Sequence, residues 1–193
     1  MKKGQFFKNL IIFLAFLSIW LVGCTSGNSR AKLPDDKAPR AADSESSSGS
    51  GRYKVLRVVD GDTIVISYKG KNEKLRFIGI NTPEAHHPEK GAEPYGVEAA
   101  GYTKRLLENQ AVRIKFDVQQ RDKYGRLLGY VYLADGTFVN ARLLAEGYAQ
   151  VMTVPPDVRY AEYFVRLEQE ARKAEKGLWG IFYYTMDGNL EAE

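Results

Sequence analysis

From about Arg52 onward the chain alternates short apolar runs with breaks rich in Gly, Asp and Lys. Tyr53–Val59 carries Val55, Leu56, Val58 and Val59, Ile64–Tyr68 is β-branched and aromatic, and Leu75–Ile80 is apolar around Arg76. Runs this short, bounded by turn formers, read as strands, with hairpin turns at Asp60-Gly61 and Lys69-Gly70-Lys71-Asn72. Three consecutive strands in a meander are therefore expected. Gly96–Asn109 has Val97, Ala100, Lys104 and Leu107 near helical spacing, and Val112–Phe116 alternates as a strand. Leu127–Leu133 reads as another strand, closed by Asp135-Gly136. Phe138–Glu146 puts Phe138, Ala141 and Ala145 on one helical face, ahead of a capping Gly147. A last helix runs from about Val158 to Lys176, striped by Tyr160, Tyr163, Phe164, Leu167, Ala171 and Ala174, and ends by Gly177. Five short strands with three helices inserted late predict a mainly β (α+β) domain. A small closed barrel of the OB type is the most economical arrangement.

The N-terminus follows another pattern. Met1–Asn9 is short and lysine-bearing, and Leu10–Val22 is apolar except for Ser18. Thirteen residues make roughly 20 Å of helix, short of the ~30 Å hydrocarbon core, so residues 1–23 read as a secretory signal peptide. Leu21-Val22-Gly23-Cys24 resembles a bacterial lipobox, which implies cleavage before Cys24 and lipidation of its thiol. Residues 24–51 form a tether of Ser, Ala, Asp, Lys and Pro with Leu33 as its one large apolar residue. Such a segment cannot offset chain entropy by burial and is expected to be disordered. Residues 52–184 are the folded domain and 185–193 an acidic tail. The domain is then expected outside the cytoplasm, held to a membrane by its N-terminal lipid.

Composition narrows this little. The 193 residues hold 28 Lys+Arg against 24 Asp+Glu, with 44% hydrophobic and 12% aromatic residues, which excludes a disordered or collagen-like chain. One cysteine excludes an internal disulfide. The net +4 matters by location. The signal peptide carries three lysines and no acid, the tether balances, and Asp187, Glu191 and Glu193 offset the surplus of Arg52–Tyr184, where 21 basic residues face 17 acidic ones. A modest positive field on the domain favours a polyanionic partner.

Four polar clusters are candidates for chemistry. Asp60-Gly61-Asp62-Thr63 lies at a hairpin, Asn81-Thr82-Pro83-Glu84 follows an apolar strand, Arg121-Asp122-Lys123-Tyr124-Gly125-Arg126 forms a charged loop, and His86-His87 are adjacent. Each has a plain structural explanation: turn formers, strand termination by Pro83, a solvated charged loop, two solvent-facing imidazoles. Together they say more. Clustered carboxylate and carbonyl oxygens suit a hard cation such as Ca²⁺. Arg76 and Arg126 offer planar donors suited to phosphate, and Glu84 could take a proton from water. Those are the parts for hydrolysing a phosphodiester. Zinc at His86-His87 is a weaker alternative.

Val59-Asp60-Gly61-Asp62-Thr63, Arg76, Thr82-Pro83-Glu84 and Asp122-Lys123-Tyr124-Gly125-Arg126 resemble the motifs of the staphylococcal nuclease family. His87–Gly96 also resembles that family's long loop. The resemblance covers about Tyr53 to Trp179, and four motifs in order make it specific. It implies an OB-fold barrel with three helices and Ca²⁺-dependent cleavage of DNA and RNA to 3′-phosphate products. By position it implies that Asp62 is the principal carboxylate ligand of calcium and that Thr82 ligates through its carbonyl. Glu84 aligns with the general base, Arg76 and Arg126 with the pair that neutralises phosphate charge, and Lys123 and Tyr124 with groups touching the terminal phosphate. Asp60 would orient Asp62.

Two departures stand out. The family has an aspartate where this chain has Asn81, an amide that can still ligate calcium but supplies no charge, so weaker calcium binding is expected. Val151-Met152-Thr153-Val154-Pro155 replaces a stretch bearing tyrosines that pack around the base, which should reduce affinity or shift base preference. The competing expectation is an OB module that binds nucleic acid without cutting it; a surface lipoprotein using the fold for protein contacts is a third. Neither a protein partner nor an oligomer is implied, so a monomer is expected.

Overall fold

A computed structural model describes residues 51–86 and 91–180. Residues 1–50, which hold the expected signal peptide, Cys24 and nearly all of the expected tether, lie outside the described residues, as do His87 and the expected acidic tail. No described helix is long and apolar enough to cross a membrane.

The expected meander is present as β1 (Arg52–Asp60), β2 (Thr63–Tyr68) and β3 (Lys71–Phe77). The β2–β3 turn is the two-residue Lys69-Gly70, both at positive φ (49° and 77°), a twist matched to antiparallel strands. Lys71 and Asn72, expected in that turn, belong instead to β3, opposite Tyr68 and Ser67. The apolar run expected as one strand to Ile80 breaks at Ile78. A short β4 (Gly79–Asn81) then leaves the barrel and pairs with β7 (Gln150–Met152), an element the sequence pattern does not reveal. Gly79 takes φ 80° under the Phe164 ring, where a Cβ would sit 2.6 Å from a ring carbon. Only glycine fits that break.

Strands β5 (Ala111–Lys115) and β6 (Leu127–Tyr132) complete a closed barrel in the order β1-β2-β3-β6-β5, with β3 and β6 parallel and the other pairs antiparallel. The expected five-stranded OB-type barrel is thus observed, with three named helices among the described residues. Register shifts in β1 between Val55 and Arg57 and between Val58 and Asp60 are bulges that bend the strand just before its catalytic-looking turn.

The helices are α1 (Gly96–Leu107), α2 (Val139–Ala145) and α3 (Ala161–Lys173). In α1 the buried face is Gly96, Ala99, Thr103 and Leu107, so of the expected stripe only Leu107 is core; Val97 is 57% exposed. The α3 stripe matches expectation at Phe164, Leu167 and Ala171, whereas Ala174 lies beyond the helix and is exposed. Phe138, Tyr160 and Phe164 cluster around buried Tyr130 with ring centroids 4.7 to 6.3 Å from it, joining α2 and α3 to the barrel. Asn140 on α2, fully buried, accepts from Val131 N–H and donates to the Ile78 carbonyl, which pins the β3–β4 break to β6.

Candidate active site

The β1–β2 turn places two carboxylates out of water. Asp60 and Asp62 are 7% and 4% exposed. Asp60 Oδ1 accepts from Gly61 N–H at 2.9 Å and Ala85 N–H at 3.2 Å. Asp62 Oδ2 accepts from Thr82 N–H at 2.8 Å, and its Oδ1 from the Thr63 hydroxyl at 3.0 Å. Both carboxylates therefore tie the turn to the segment after β4, bringing the first two sequence clusters together across 20 residues. Gly61 is required by proximity: a Cβ there would meet Thr82 Oγ1 at 2.7 Å. From the other side Thr103 on α1 donates its hydroxyl to the Gly61 carbonyl at 2.6 Å.

Arg76 crosses from β3 into this cluster. Its Nη1 lies 3.0 Å from Asp62 Oδ2 and donates to the carbonyls of Phe77 (3.1 Å) and Ile80 (2.9 Å), while Nη2 donates to Asn81 Oδ1 at 2.9 Å. Four acceptors fix the guanidinium plane. Burial pushes the Asp62 carboxyl up from its ordinary range, against the pull of Arg76 and of the Thr82 N–H. Burial likewise lowers Arg76 against the Asp62 charge, and Arg126 lowers it further. The two arginines are thus near enough to repel each other.

Glu84 is exposed, with its carboxyl in hydrogen-bonding reach of Asp60. That contact, partial burial and the charges of Asp60, Asp62 and Glu93 push its pKa up to about 7. Its backbone is held by Glu93: Glu84 N–H donates to Glu93 Oε2 and Glu93 N–H to the Glu84 carbonyl. The cluster holds more negative charge than Arg76 balances. Thr82 Oγ1 is buried with no hydrogen-bond partner. Among the described residues no group of three His, Cys, Asp or Glu side chains forms a metal cage by itself, so carbonyl or amide oxygens must complete any cation site. His86 is exposed and joins no such group.

The third cluster is an exposed hairpin beside β3. Asp122 Oδ1 accepts the N–H groups of Tyr124 and Arg126, and its Oδ2 accepts Arg126 Nε at 2.6 Å. Lys123 and Tyr124 project at the tip: Tyr124 is 73% exposed, with Lys123 Nζ 5.0 Å and Arg126 Cζ 5.6 Å from its ring centre. Arg121 is spent differently, in a two-pronged bond to Glu73 on β3 (2.9 and 3.0 Å). Asn81 Oδ1 faces Arg76, and Val154 in the altered stretch is 55% exposed.

The sequence pattern missed Thr103, Glu93 and the bracing role of Asp122. Thr103 left one trace, a hydroxyl between Ala99 and Leu107 on what proves to be the apolar face of α1.

Residues 74–180 match the family described as staphylococcal nuclease homologue. Over 127 residues the chain is 44% identical to a thermonuclease of Staphylococcus hyicus, spanning 66% of this chain and 75% of that one. A thermonuclease of Staphylococcus intermedius is 42% identical over the same shares. The endonuclease YncB of Bacillus subtilis is 41% identical over 125 residues, 64% of this chain and 59% of its own. With more than half of its length matched and three quarters of a 44%-identical relative covered, the chain belongs to the staphylococcal nuclease family.

Proposed function

We propose that the protein hydrolyses phosphodiester bonds of DNA and RNA with the help of calcium, leaving 3′-phosphate ends. One observation carries the reading: Asp62 meets the guanidinium of Arg76 at one end of the barrel, with Asp60, Glu84 and Arg126 close enough to act on it electrostatically.

Calcium fits these residues. The buried, unpartnered Thr82 Oγ1 and the crowding of Asp60, Asp62 and Glu84, in which the contact with Asp60 raises Glu84 most, suit the charge of a hard cation. Asp62, the Thr82 carbonyl and Asn81 would hold it. When bound, calcium supplies positive charge beside the phosphate oxygens. Asn81 brings none and already accepts from Arg76, which supports weaker calcium binding than an aspartate would give.

The remaining work falls to side chains. Glu84 accepts a proton from water at its carboxylate, and Asp60 beside it sets when that carboxylate is free. Arg76, immobilised by four acceptors, and Arg126, held by Asp122 through Nε, neutralise charge developing on the phosphate. Lys123 and Tyr124 contact the terminal phosphate from the hairpin tip. The motif at Leu21–Cys24 supports a secreted protein anchored by lipid at Cys24 on the extracytoplasmic side.

The test uses the purified full-length chain, DNA, and either millimolar calcium or a chelator. Cleavage should require calcium, and Glu84→Gln should slow it by about 10²- to 10⁴-fold. DNA bound but uncut in calcium would instead make the protein a binding module. A Glu84→Gln variant as fast as its parent would sink the assignment of the base.

A further inference from the structure

The β1–β2–β3 sheet carries a second cationic row beside the catalytic one. Asp60, Thr63 and Arg76 lie in cross-strand register, and Arg57, Val65 and Lys74 form the next row, with Arg57 and Lys74 exposed and Val65 between them buried. Leu75 and Phe77 alternate with Lys74 and Arg76 and are buried in the core, so Lys74 and Arg76 share the outer face. Same-face positions on a strand are about 7 Å apart and neighbouring strands about 4.8 Å. Lys74 thus stands roughly 7 Å from Arg76 along β3, and Arg57 lies two strands, roughly 10 Å, beyond Lys74. Both are exposed, and neither has a carboxylate partner among the described residues. Arg121, Arg142, Arg159 and Arg172, in contrast, each meet an acid.

We infer that Arg57 and Lys74 form a backbone track for a single-stranded stretch of substrate, adding two phosphate contacts beyond the one at Arg76. The inference rests on the nuclease reading above. An unpaired strand suits the site better than a duplex for two reasons. The Arg76 side chain is only 12% exposed, so the phosphate it meets must descend into a recess. Tyr124 is 73% exposed at the hairpin tip with Lys123 and Arg126 over its ring, a setting that an unpaired base can approach and a base stacked within a helix cannot.

The experiment compares full-length wild type, Arg57→Gln/Lys74→Gln, and Arg166→Gln/Lys173→Gln, which removes two exposed charges from α3. Binding of a labelled single strand of about 12 nucleotides is measured in chelator across a salt series, with the matching duplex alongside. Each single-strand phosphate contact contributes about 0.7 to the slope of log affinity against log salt, so the first variant should lose about 1.4 and the α3 variant almost nothing. With calcium, KM for the long strand should rise severalfold while cleavage of a dinucleotide-sized ester, too short to reach either residue, keeps its rate. Thermal midpoints close to the parent's establish that both variants fold. An unchanged slope, or an equal loss in the α3 variant, overturns the track and leaves the nuclease reading standing. An effect confined to the duplex overturns the choice of single strand. A wild-type chain that neither binds nor cuts nucleic acid overturns the nuclease reading, and the track with it.

Discussion

The Asp60–Thr63 turn and the Arg121–Arg126 hairpin are both tight reversals crowded with charge, yet they hold it in opposite ways. In the turn the carboxylates are buried and answered by backbone N–H groups, by Arg76 and by the Thr63 hydroxyl, while Thr103 on α1 holds the Gly61 carbonyl between them. In the hairpin one carboxylate, Asp122, braces the loop from within while Lys123 and Tyr124 stand in solvent. A buried charge is tolerable only when every partner is in place, so the turn must be rigid before substrate arrives. The exposed hairpin can meet a chain that comes in many sequences. Under the proposed function, one half fixes geometry and the other gathers substrate.

That contrast can be broken most directly at Thr103. Thr103→Val keeps the shape but leaves the Gly61 carbonyl without its donor, and should cost about 1–3 kcal/mol in urea unfolding together with a loss of kcat. Stability equal to the parent would mean that the turn is not braced from α1. Asn81→Asp sharpens the buried half from another side. An added negative charge at the cluster should lower the calcium concentration for half-maximal cleavage, about tenfold for each 1.4 kcal/mol gained. An unchanged calcium dependence would remove Asn81 from the ligand set.

The smallest effect belongs to the exposed half. Its two bonds from Arg121 hold the Glu73 carboxyl below the ordinary 4.5. A carboxyl lowered on folding binds fewer protons in the native than in the unfolded chain, so stability rises with pH through that window. The Glu73–Arg121 contribution is therefore complete above pH 4.5 and is lost as pH falls through the lowered value. Glu73→Gln should be slightly less stable than the parent at pH 7, with the gap closing in acid. A gap that persists at pH 3 would mean that packing, not charge, holds the hairpin to β3.

The sequence made the barrel legible because its strands alternate and its turns carry Gly and Asp. It hid the break at Ile78-Gly79, since Leu75–Ile80 is one unbroken apolar run apart from Arg76, and the reason for breaking it is the Phe164 ring far along the chain. Lys71 and Asn72 were concealed in the same way: nothing polar in a run announces that the turn before it needs only Lys69 and Gly70. Strand β7 is three residues long and exists only because β4 offers an edge. The residues that bear the site's chemistry were readable as motifs. Their braces were not, because Thr103 acts 42 positions from Gly61 and Arg121 48 positions from Glu73. Contacts at such separations leave no period in a sequence.

The Lys69-Gly70 turn works as a ruler. It joins two strands whose pairing runs without interruption from Tyr68 and Lys71 to Thr63 and Arg76. A strand moved by one residue presents every side chain to the opposite face. One residue inserted or deleted at the turn would therefore send Arg76 toward the barrel interior and Leu75 toward the carboxylates. Every residue of the candidate site would keep its identity, and the assembly would be lost. The length of an exposed turn with no chemistry of its own is as much a condition for the site as Arg76 itself.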